Sequence, residues 1–166
     1  MATITVRGEE VHTAGEFPRV GSKAPDFTLT DRDFNDVSLS RWMGKKKLIY
    51  VLLSIDTPLC SGSTRAFSEH VRGRDDTVTL IVSSDLPFAH KRFCNADAVD
   101  NVITLSTVRS PDFARAYGVL IADGPLTGLT ARAVLVLDEN DTVVHAELVP
   151  EIGQEPDYEA ALKALG

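Results

Sequence analysis

The chain has 166 residues, of which 43% are hydrophobic and 25% charged, a balance typical of one globular domain with a core of its own. Its formal net charge of -7 and the absence of any basic run longer than Lys45-Lys46-Lys47 argue against nucleic acid and anionic membranes as partners. No apolar run approaches the ~20 residues of a membrane span, and the N-terminal segment lacks the features of a signal peptide, so the sequence predicts a cytoplasmic protein.

The first forty residues contain two predicted pairs of short strands. The pattern TITVRGEEVHT, residues 3–13, predicts a hairpin that turns near Gly8-Glu9. Residues 26–39 predict two further extended pieces around a polar turn. These pairs are interpreted as a β appendage at the N-terminus.

Strand and helix patterns alternate from Lys46 onwards. The predicted strands are residues 46–54, 78–84 and 102–106, and the predicted helices are residues 60–73, 86–94 and 110–118. Residues 131–149 predict a hairpin around a polar turn, and residues 157–166 predict a final helix. Because βαβ units need parallel strands and the hairpin adds antiparallel ones, the sequence predicts an α/β fold with a central mixed β-sheet flanked by helices on both faces.

The two cysteines, Cys60 and Cys94, are too few for a disulfide scaffold or a four-thiolate zinc site. Cys60 follows a predicted N-cap, Thr57, and a proline suited to the first helical position, so it falls in the first turn of a helix. The positive end of the helix dipole favours a thiolate there, which makes Cys60 a candidate nucleophile. The local pattern leaves a second interpretation open, in which Cys60 is a small buried hydrophobic residue.

Several long blocks of the sequence resemble one known family. The blocks are SIDTPLC, SSDLPFAHKRFC, NVITLST, AYGVLIADGPLTGLTARAVLVLDENDTVV and EPDYEAAL. Together they resemble the bacterial thiol peroxidases, which are atypical two-cysteine peroxiredoxins on a thioredoxin-like fold, from about Gly21 to the end of the chain. The resemblance implies a single thioredoxin-like domain over residues 1–166, with residues 1–20 as an N-terminal β-hairpin appendage.

The same resemblance implies a function. It implies that hydrogen peroxide and organic hydroperoxides are reduced with electrons from thioredoxin, without a metal, haem or flavin, by a protein that commonly forms homodimers. Cys60 matches the peroxidatic cysteine, and Cys94 matches the resolving cysteine that forms an intramolecular disulfide with it. Thr57 matches the active-site threonine, and Arg132 matches the active-site arginine that faces the peroxidatic cysteine. The segment TVRSPDFARAYG, residues 107–118, is a candidate part of the dimer interface.

Two other classes of function remain as alternatives. Cys60-Ser61-Gly62-Ser63 is a C-x-x-S sequence at the head of a helix, as in monothiol thioredoxin-like proteins that exchange disulfides. A non-catalytic redox sensor is the third class. The four histidines lie on different predicted elements without the spacing of metal ligands, so no metal site is expected.

One position departs from the family pattern. Leu53 stands where the family has a proline, seven residues before the peroxidatic cysteine. Leucine restores a backbone N–H donor and allows the strand before Cys60 to run on. Either Leu53 itself supplies an apolar shield for the sulfur, or the loop that aims Thr57 and Cys60 is loosened. We expect a working peroxidase in which the shielding of the sulfur is weakened.

Overall fold

The computed structural model describes residues 1–166, in ten strands and four α-helices. The strands are β1 (Thr3–Val6), β2 (Glu9–Ala14), β3 (Thr28–Asp31), β4 (Asp36–Ser38), β5 (Lys46–Val51), β6 (Thr77–Ser83), β7 (Ile103–Ser106), β8 (Leu120–Ile121), β9 (Ala133–Leu137) and β10 (Val143–Leu148). The α-helices are α1 (Pro58–Val71), α2 (Pro87–Ala96), α3 (Phe113–Ala116) and α4 (Tyr158–Leu165), and a 3-10 helix covers Leu39–Trp42.

The central sheet is mixed, as predicted. Its seven strands lie in the order β10-β9-β5-β6-β7-β3-β4. β5, β6 and β7 run parallel, whereas β9 pairs antiparallel with β5 and β10 antiparallel with β9. The N-terminal hairpin turns at Arg7 and Gly8, which both have positive φ, and forms a small second sheet with β8.

Alternating residues of β5 separate the core into two halves. Ile49 and Val51 point to the half that holds α3 and the N-terminal hairpin, and Leu48 and Tyr50 point to the half that holds α1, α2 and α4. Every residue from Lys47 to Leu52 is fully buried, which is expected of a central strand covered on both faces. The predicted α/β architecture with helices on both faces is therefore confirmed.

Two predicted elements are shorter by three or more residues in the structure, and one strand is additional. The helix predicted over residues 110–118 is only the single turn α3. Gly118, which follows it, has a positive φ of 65°, and a Cβ there would clash with the backbone of Glu16 and Phe17. The strand predicted over residues 46–54 ends at Val51. β8 has two residues and was not predicted. No helix is both long and apolar enough to cross a lipid bilayer.

Candidate active site

Cys60 lies in the first turn of α1, directly after the loop that leaves β5. We call residues 52–57 of this connection the Cys60 loop. Thr57 is the N-cap of α1, with an extended backbone, and its hydroxyl accepts a hydrogen bond from the Cys60 N–H at 3.1 Å. Pro58 begins the helix, where a missing N–H leaves no bond unmade. The predicted N-cap is confirmed, and it holds the Cys60 backbone at the positive end of the helix dipole.

Arg132 directly precedes β9, and its side chain approaches the Cys60 sulfur. β9 pairs antiparallel with β5, and Ala133 lies opposite Val51, so Arg132 is located where the Cys60 loop begins. The side chain is buried, and its Nη1 lies 3.2 Å from Cys60 Sγ. Nε and Nη2 both donate to the carbonyl oxygen of Ile152, at 3.3 and 3.0 Å. One edge of the guanidinium is therefore held by the backbone while the other edge faces the thiol.

Tyr50 and Ser63 extend this group with a chain of hydrogen bonds. Arg132 Nη1 donates to Tyr50 Oη at 2.6 Å, and Tyr50 Oη lies 2.6 Å from Ser63 Oγ. Ser63 Oγ also lies 2.8 Å from the Leu59 carbonyl oxygen. Because that carbonyl can only accept, Ser63 donates to it and Tyr50 donates to Ser63. Tyr50 is thereby oriented to accept from Arg132.

The site contains one buried cation, the guanidinium of Arg132. No carboxylate pairs with Arg132, and its ionisable neighbours are Tyr50 and Cys60. Burial lowers the pKa of Arg132, but these two neighbours more than offset that effect and leave its pKa above the ordinary value. Burial raises the pKa of Tyr50, and the Arg132 charge offsets that only in part. At neutral pH the phenol therefore keeps its proton.

Cys94 lies outside this hydrogen-bonded group. It is on α2, near the C-terminal end of the helix, and its side chain is buried. Burial raises the pKa of the Cys94 thiol, and the Arg32 guanidinium opposes this only in part. Both cysteines are free thiols, and both belong to the core half that contains α1 and α2.

The structure thus brings three of the four predicted site residues together and places the fourth on a separate helix. Cys60, Thr57 and Arg132 are joined by direct hydrogen bonds. Sequence reasoning missed Tyr50, Ser63 and the Ile152 carbonyl. The signal available for Tyr50 was a hydroxyl-bearing side chain inside the apolar run LIYVLL, since a buried Tyr hydroxyl needs a partner. The backbone carbonyl leaves no signal in the sequence.

The expectation for Leu53 is wrong in one respect. The strand does not run on past Val51, and the Leu53 N–H makes no hydrogen bond. The Leu53 side chain is half-buried between the two core halves. It also lines a mainly apolar cavity of about 470 Å³ together with Val6, Leu126 and Ile152. The leucine donor is present but unused.

No group of three or more His, Cys, Asp or Glu side chains is arranged to hold a metal ion. The four histidines are on β2, α1, α2 and β10.

A helix-head cysteine beside a buried arginine, on a central mixed sheet flanked by helices, defines a thioredoxin-fold thiol oxidoreductase. Comparison with known proteins identifies its family. The redoxin family model matches residues 19–162. A thiol peroxidase of Mycobacterium bovis is 51% identical over 166 residues, which are 100% of this chain and 99% of the relative. This chain belongs to the bacterial thiol peroxidases of the redoxin family, and it is a peroxiredoxin-type, thiol-dependent peroxidase.

Solved structures agree with that assignment. A peroxiredoxin-like protein from Aquifex aeolicus superimposes with a TM-score of 0.93 at 35% identity, covering 98% of this chain and 95% of that one. A thiol peroxidase from Chromobacterium violaceum superimposes with a TM-score of 0.88 at 30% identity, covering 98% of this chain and 94% of that one.

Proposed function

We propose that this peroxidase reduces hydrogen peroxide and organic hydroperoxides through a sulfenic acid on Cys60, which Cys94 resolves as an intramolecular disulfide that thioredoxin then reduces. The observation that carries the proposal is the contact of 3.2 Å between Arg132 Nη1 and Cys60 Sγ, in a buried site where Arg132 has no carboxylate partner.

That contact supports a thiolate at Cys60. A buried charge is costly unless it is paired, so the guanidinium favours an anion beside it. Of the two acids that touch Arg132, a thiol ionises more readily than a phenol. Burial raises the pKa of Tyr50 further. The Cys60 sulfur is therefore the natural counter-ion of Arg132, and a thiolate is the nucleophilic form of cysteine.

In the first step the Cys60 thiolate attacks one oxygen of the hydroperoxide. The S–O bond forms, the O–O bond breaks, and the other oxygen takes the proton of the hydroperoxide and leaves as water or an alcohol. Solvent supplies the proton that converts the sulfenate on Cys60 to the sulfenic acid. Sulfur loses two electrons and the peroxide gains them. Arg132 stabilises the negative charge that develops on the peroxide oxygens, and the Thr57 hydroxyl orients the substrate.

In the second step Cys94 attacks the Cys60 sulfenic acid. The S–S bond forms, the S–O bond breaks, and water leaves. Cys94 is buried on a separate helix, and a disulfide requires the two Cα atoms to lie within about 7 Å. We therefore propose that α2 unfolds locally during this step.

A peroxide-consumption assay with thioredoxin, thioredoxin reductase and NADPH tests the whole cycle. We expect steady turnover with hydrogen peroxide and with cumene hydroperoxide, and no turnover when thioredoxin is omitted. Turnover with glutathione alone at the same rate would remove thioredoxin from the cycle. No peroxide consumption with any donor, in protein that has two intact thiols, would contradict the proposed function itself.

The geometry bears on one of the two alternative functions. A disulfide-exchange protein needs a sulfur that a partner's disulfide can reach, whereas Cys60 is fully buried. A non-catalytic sensor needs the same activated thiolate as a peroxidase, so turnover is what distinguishes it. The peroxide assay separates the peroxidase from both alternatives, because neither of them consumes peroxide with thioredoxin.

We also propose a homodimer whose interface includes residues 107–118. This segment contains α3 and the exposed Val108. Light scattering is expected to give twice the chain mass of 18.0 kDa, and a monomer mass would contradict the proposal.

A further inference from the structure

A cluster of polar groups between the Cys60 loop and α2 has no part in the cycle described so far. Its centre is Asp85, whose side chain is only 11% exposed. Asp85 Oδ1 accepts from Ser54 Oγ at 2.8 Å, and Oδ2 accepts from the Ile55 N–H at 2.7 Å. Ser54 and Ile55 both lie in the Cys60 loop. The carboxylate therefore holds the segment that carries Thr57 into α1.

The same carboxylate is linked to the helix that carries Cys94. Ser83 Oγ donates to Asp85 Oδ2 at 2.6 Å and lies 2.8 Å from His90 Nε2. Because the Ser83 proton goes to the carboxylate, His90 Nε2 is the donor to Ser83. His90 is fully buried on α2, four residues before Cys94 and hence on the same face of the helix. A continuous chain of hydrogen bonds therefore joins the Cys60 loop to α2, the helix that carries Cys94.

The position of Asp85 makes this use of the carboxylate unusual. An aspartate just before a helix commonly caps that helix. Here Leu86 is the N-cap of α2, and no side chain caps it. The Asp85 carboxylate is instead turned away from its own helix and bonds to the Cys60 loop. The Ser106 hydroxyl, which donates to the Asp85 carbonyl oxygen at 2.6 Å, fixes the backbone in this position.

We propose that Asp85 is a positioning residue that latches the Cys60 loop to the base of α2. With the latch closed, Thr57 and Cys60 are held for attack on peroxide. In the proposed function α2 unfolds locally before the disulfide forms, and the His90 link between α2 and the latch opens with it. The two chemical steps therefore make opposite demands on Asp85. This inference rests on the proposed function for the identity of the two steps.

Asp85→Ala tests the latch, with two matched companions. Asp85→Asn keeps a carbonyl oxygen for the Ile55 N–H and offers an amide N–H to Ser54 Oγ, so it restores most of the latch. Asp75→Ala is the control, since Asp75 is exposed. Sulfenic acid formation is measured in a Cys94→Ser background by quenched flow and mass spectrometry. Disulfide formation is measured with both cysteines present in a single turnover without thioredoxin.

We expect the two steps to change in opposite directions. Asp85→Ala is expected to slow sulfenic acid formation by ~10-fold or more, because small displacements of a reacting group have large effects on rate. Its disulfide step is expected to be at least as fast as in the wild type. Asp85→Asn is expected to regain most of the first rate. Equal slowing of both steps, or both rates within a factor of two of the wild type, would overturn the latch.

Hydrogen exchange of the reduced protein separates failure of the latch from failure of the proposed function, because it needs no peroxide. The Ile55 amide and the amides of α2 are expected to exchange faster in Asp85→Ala than in Asp75→Ala. Unchanged exchange at both places would overturn the proposal whatever the enzyme reduces. If Asp85→Ala does not fold, Ser54→Ala removes the Oδ1 bond, together with the bond that Ser54 Oγ accepts from the Asp56 N–H, and is expected to slow the first step by roughly threefold.

Discussion

The surroundings of Cys60 and Cys94 differ although both thiols are buried. Cys60 is at the N-terminal end of a 14-residue helix with a side-chain cap, and an arginine contacts its sulfur. Cys94 is near the C-terminal end of a 10-residue helix that no side chain caps. Phe88, in the first turn of α2, is 70% exposed. The proposed nucleophile is therefore held by a helix cap and an arginine, whereas the proposed resolving cysteine is on a shorter helix without a side-chain cap.

Burial alone therefore does not tell which of two cysteines is reactive. The end of the helix decides the sign of the dipole effect, and a neighbouring cation decides whether a buried anion is tolerated. Cys60 has both in its favour. Cys94 lies near the C-terminal end of its helix, where the dipole disfavours a thiolate. Burial raises its pKa, and the Arg32 guanidinium offsets that effect only in part.

The largest expected effect comes from removing the first cysteine. Cys60→Ser is expected to reduce peroxide consumption to the background rate, because the nucleophile is gone and Arg132 has no thiolate to pair with. The measurement is the thioredoxin-coupled assay, with the thermal unfolding midpoint as a control for folding. Activity close to that of the wild type would contradict the assignment of Cys60.

Removing the second cysteine is expected to spare one reaction with peroxide. Cys94→Ser is expected to form the Cys60 sulfenic acid in a single turnover but to stop steady turnover with thioredoxin, because nothing resolves the intermediate. Mass spectrometry is then expected to show sulfinic acid accumulating with further peroxide. Equal steady rates in wild type and variant would show that Cys94 has no part in the cycle.

Arg132→Lys is expected to have an intermediate effect on the first step. The charge is retained, but an ammonium group cannot donate to the Ile152 carbonyl, Tyr50 and Cys60 with the planar fork of a guanidinium. We expect the second-order rate with peroxide to fall by roughly 10- to 100-fold. Arg65→Lys, at an exposed arginine on α1 paired with Asp97, is the matched control. The assignment of Arg132 fails if both lysine variants keep the wild-type rate.

A smaller effect is expected on the pH dependence of stability, at His90 on the helix that carries Cys94. Burial lowers the pKa of His90 to about 4, and the Asp85 charge opposes this only in part. Between pH 6.5 and 4 the unfolded chain therefore binds a proton at residue 90 that the folded chain does not. Stability that is present above pH 6.5 is lost as the pH falls through this window.

His90→Gln removes that proton linkage. From pH 7 to 4 the unfolding free energy of the wild type is expected to fall by about 3 kcal/mol more than that of His90→Gln, measured by urea unfolding. Parallel curves for wild type and His90→Gln would show that residue 90 does not resist protonation in the fold.

Helix-start signals in the sequence predicted the position of Cys60, whereas the position of Arg132 depends on the fold. The threonine cap and the following proline lie within four residues of Cys60, so helix-start rules were sufficient to place the thiol. Arg132 is 72 residues further along the chain, and its position depends on how β9 pairs with β5. It was predicted only from the resemblance to a family.

The polar partners were beyond prediction for a different reason. Asp85 precedes a helix, where helix rules assign it to capping, yet the chain packs so that its carboxylate meets the Cys60 loop. Tyr50 reads as one more residue of a buried strand. In both cases the partner is set by tertiary packing, and no periodicity or spacing encodes it.

The smallest effect is expected at Leu53, where the chain departs from its family. Because β5 ends at Val51 and the Leu53 N–H makes no hydrogen bond, Leu53→Pro removes no backbone bond. The variant loses apolar contacts at a half-buried position but also loses freedom in its unfolded state, so we expect its unfolding free energy to stay within about 1 kcal/mol of the wild type. A fixed φ at residue 53 restricts the conformations that the Cys60 loop can adopt, and we expect sulfenic acid formation to become roughly two- to threefold faster.

Leu53→Ala separates the loss of the leucine side chain from the gain of the proline ring. It loses the side chain without gaining the ring, and it is expected to be less stable than the wild type and no faster. Stopped-flow oxidation of the three proteins decides the matter. A proline variant that is no faster than the wild type would contradict the expectation of weakened shielding at Leu53.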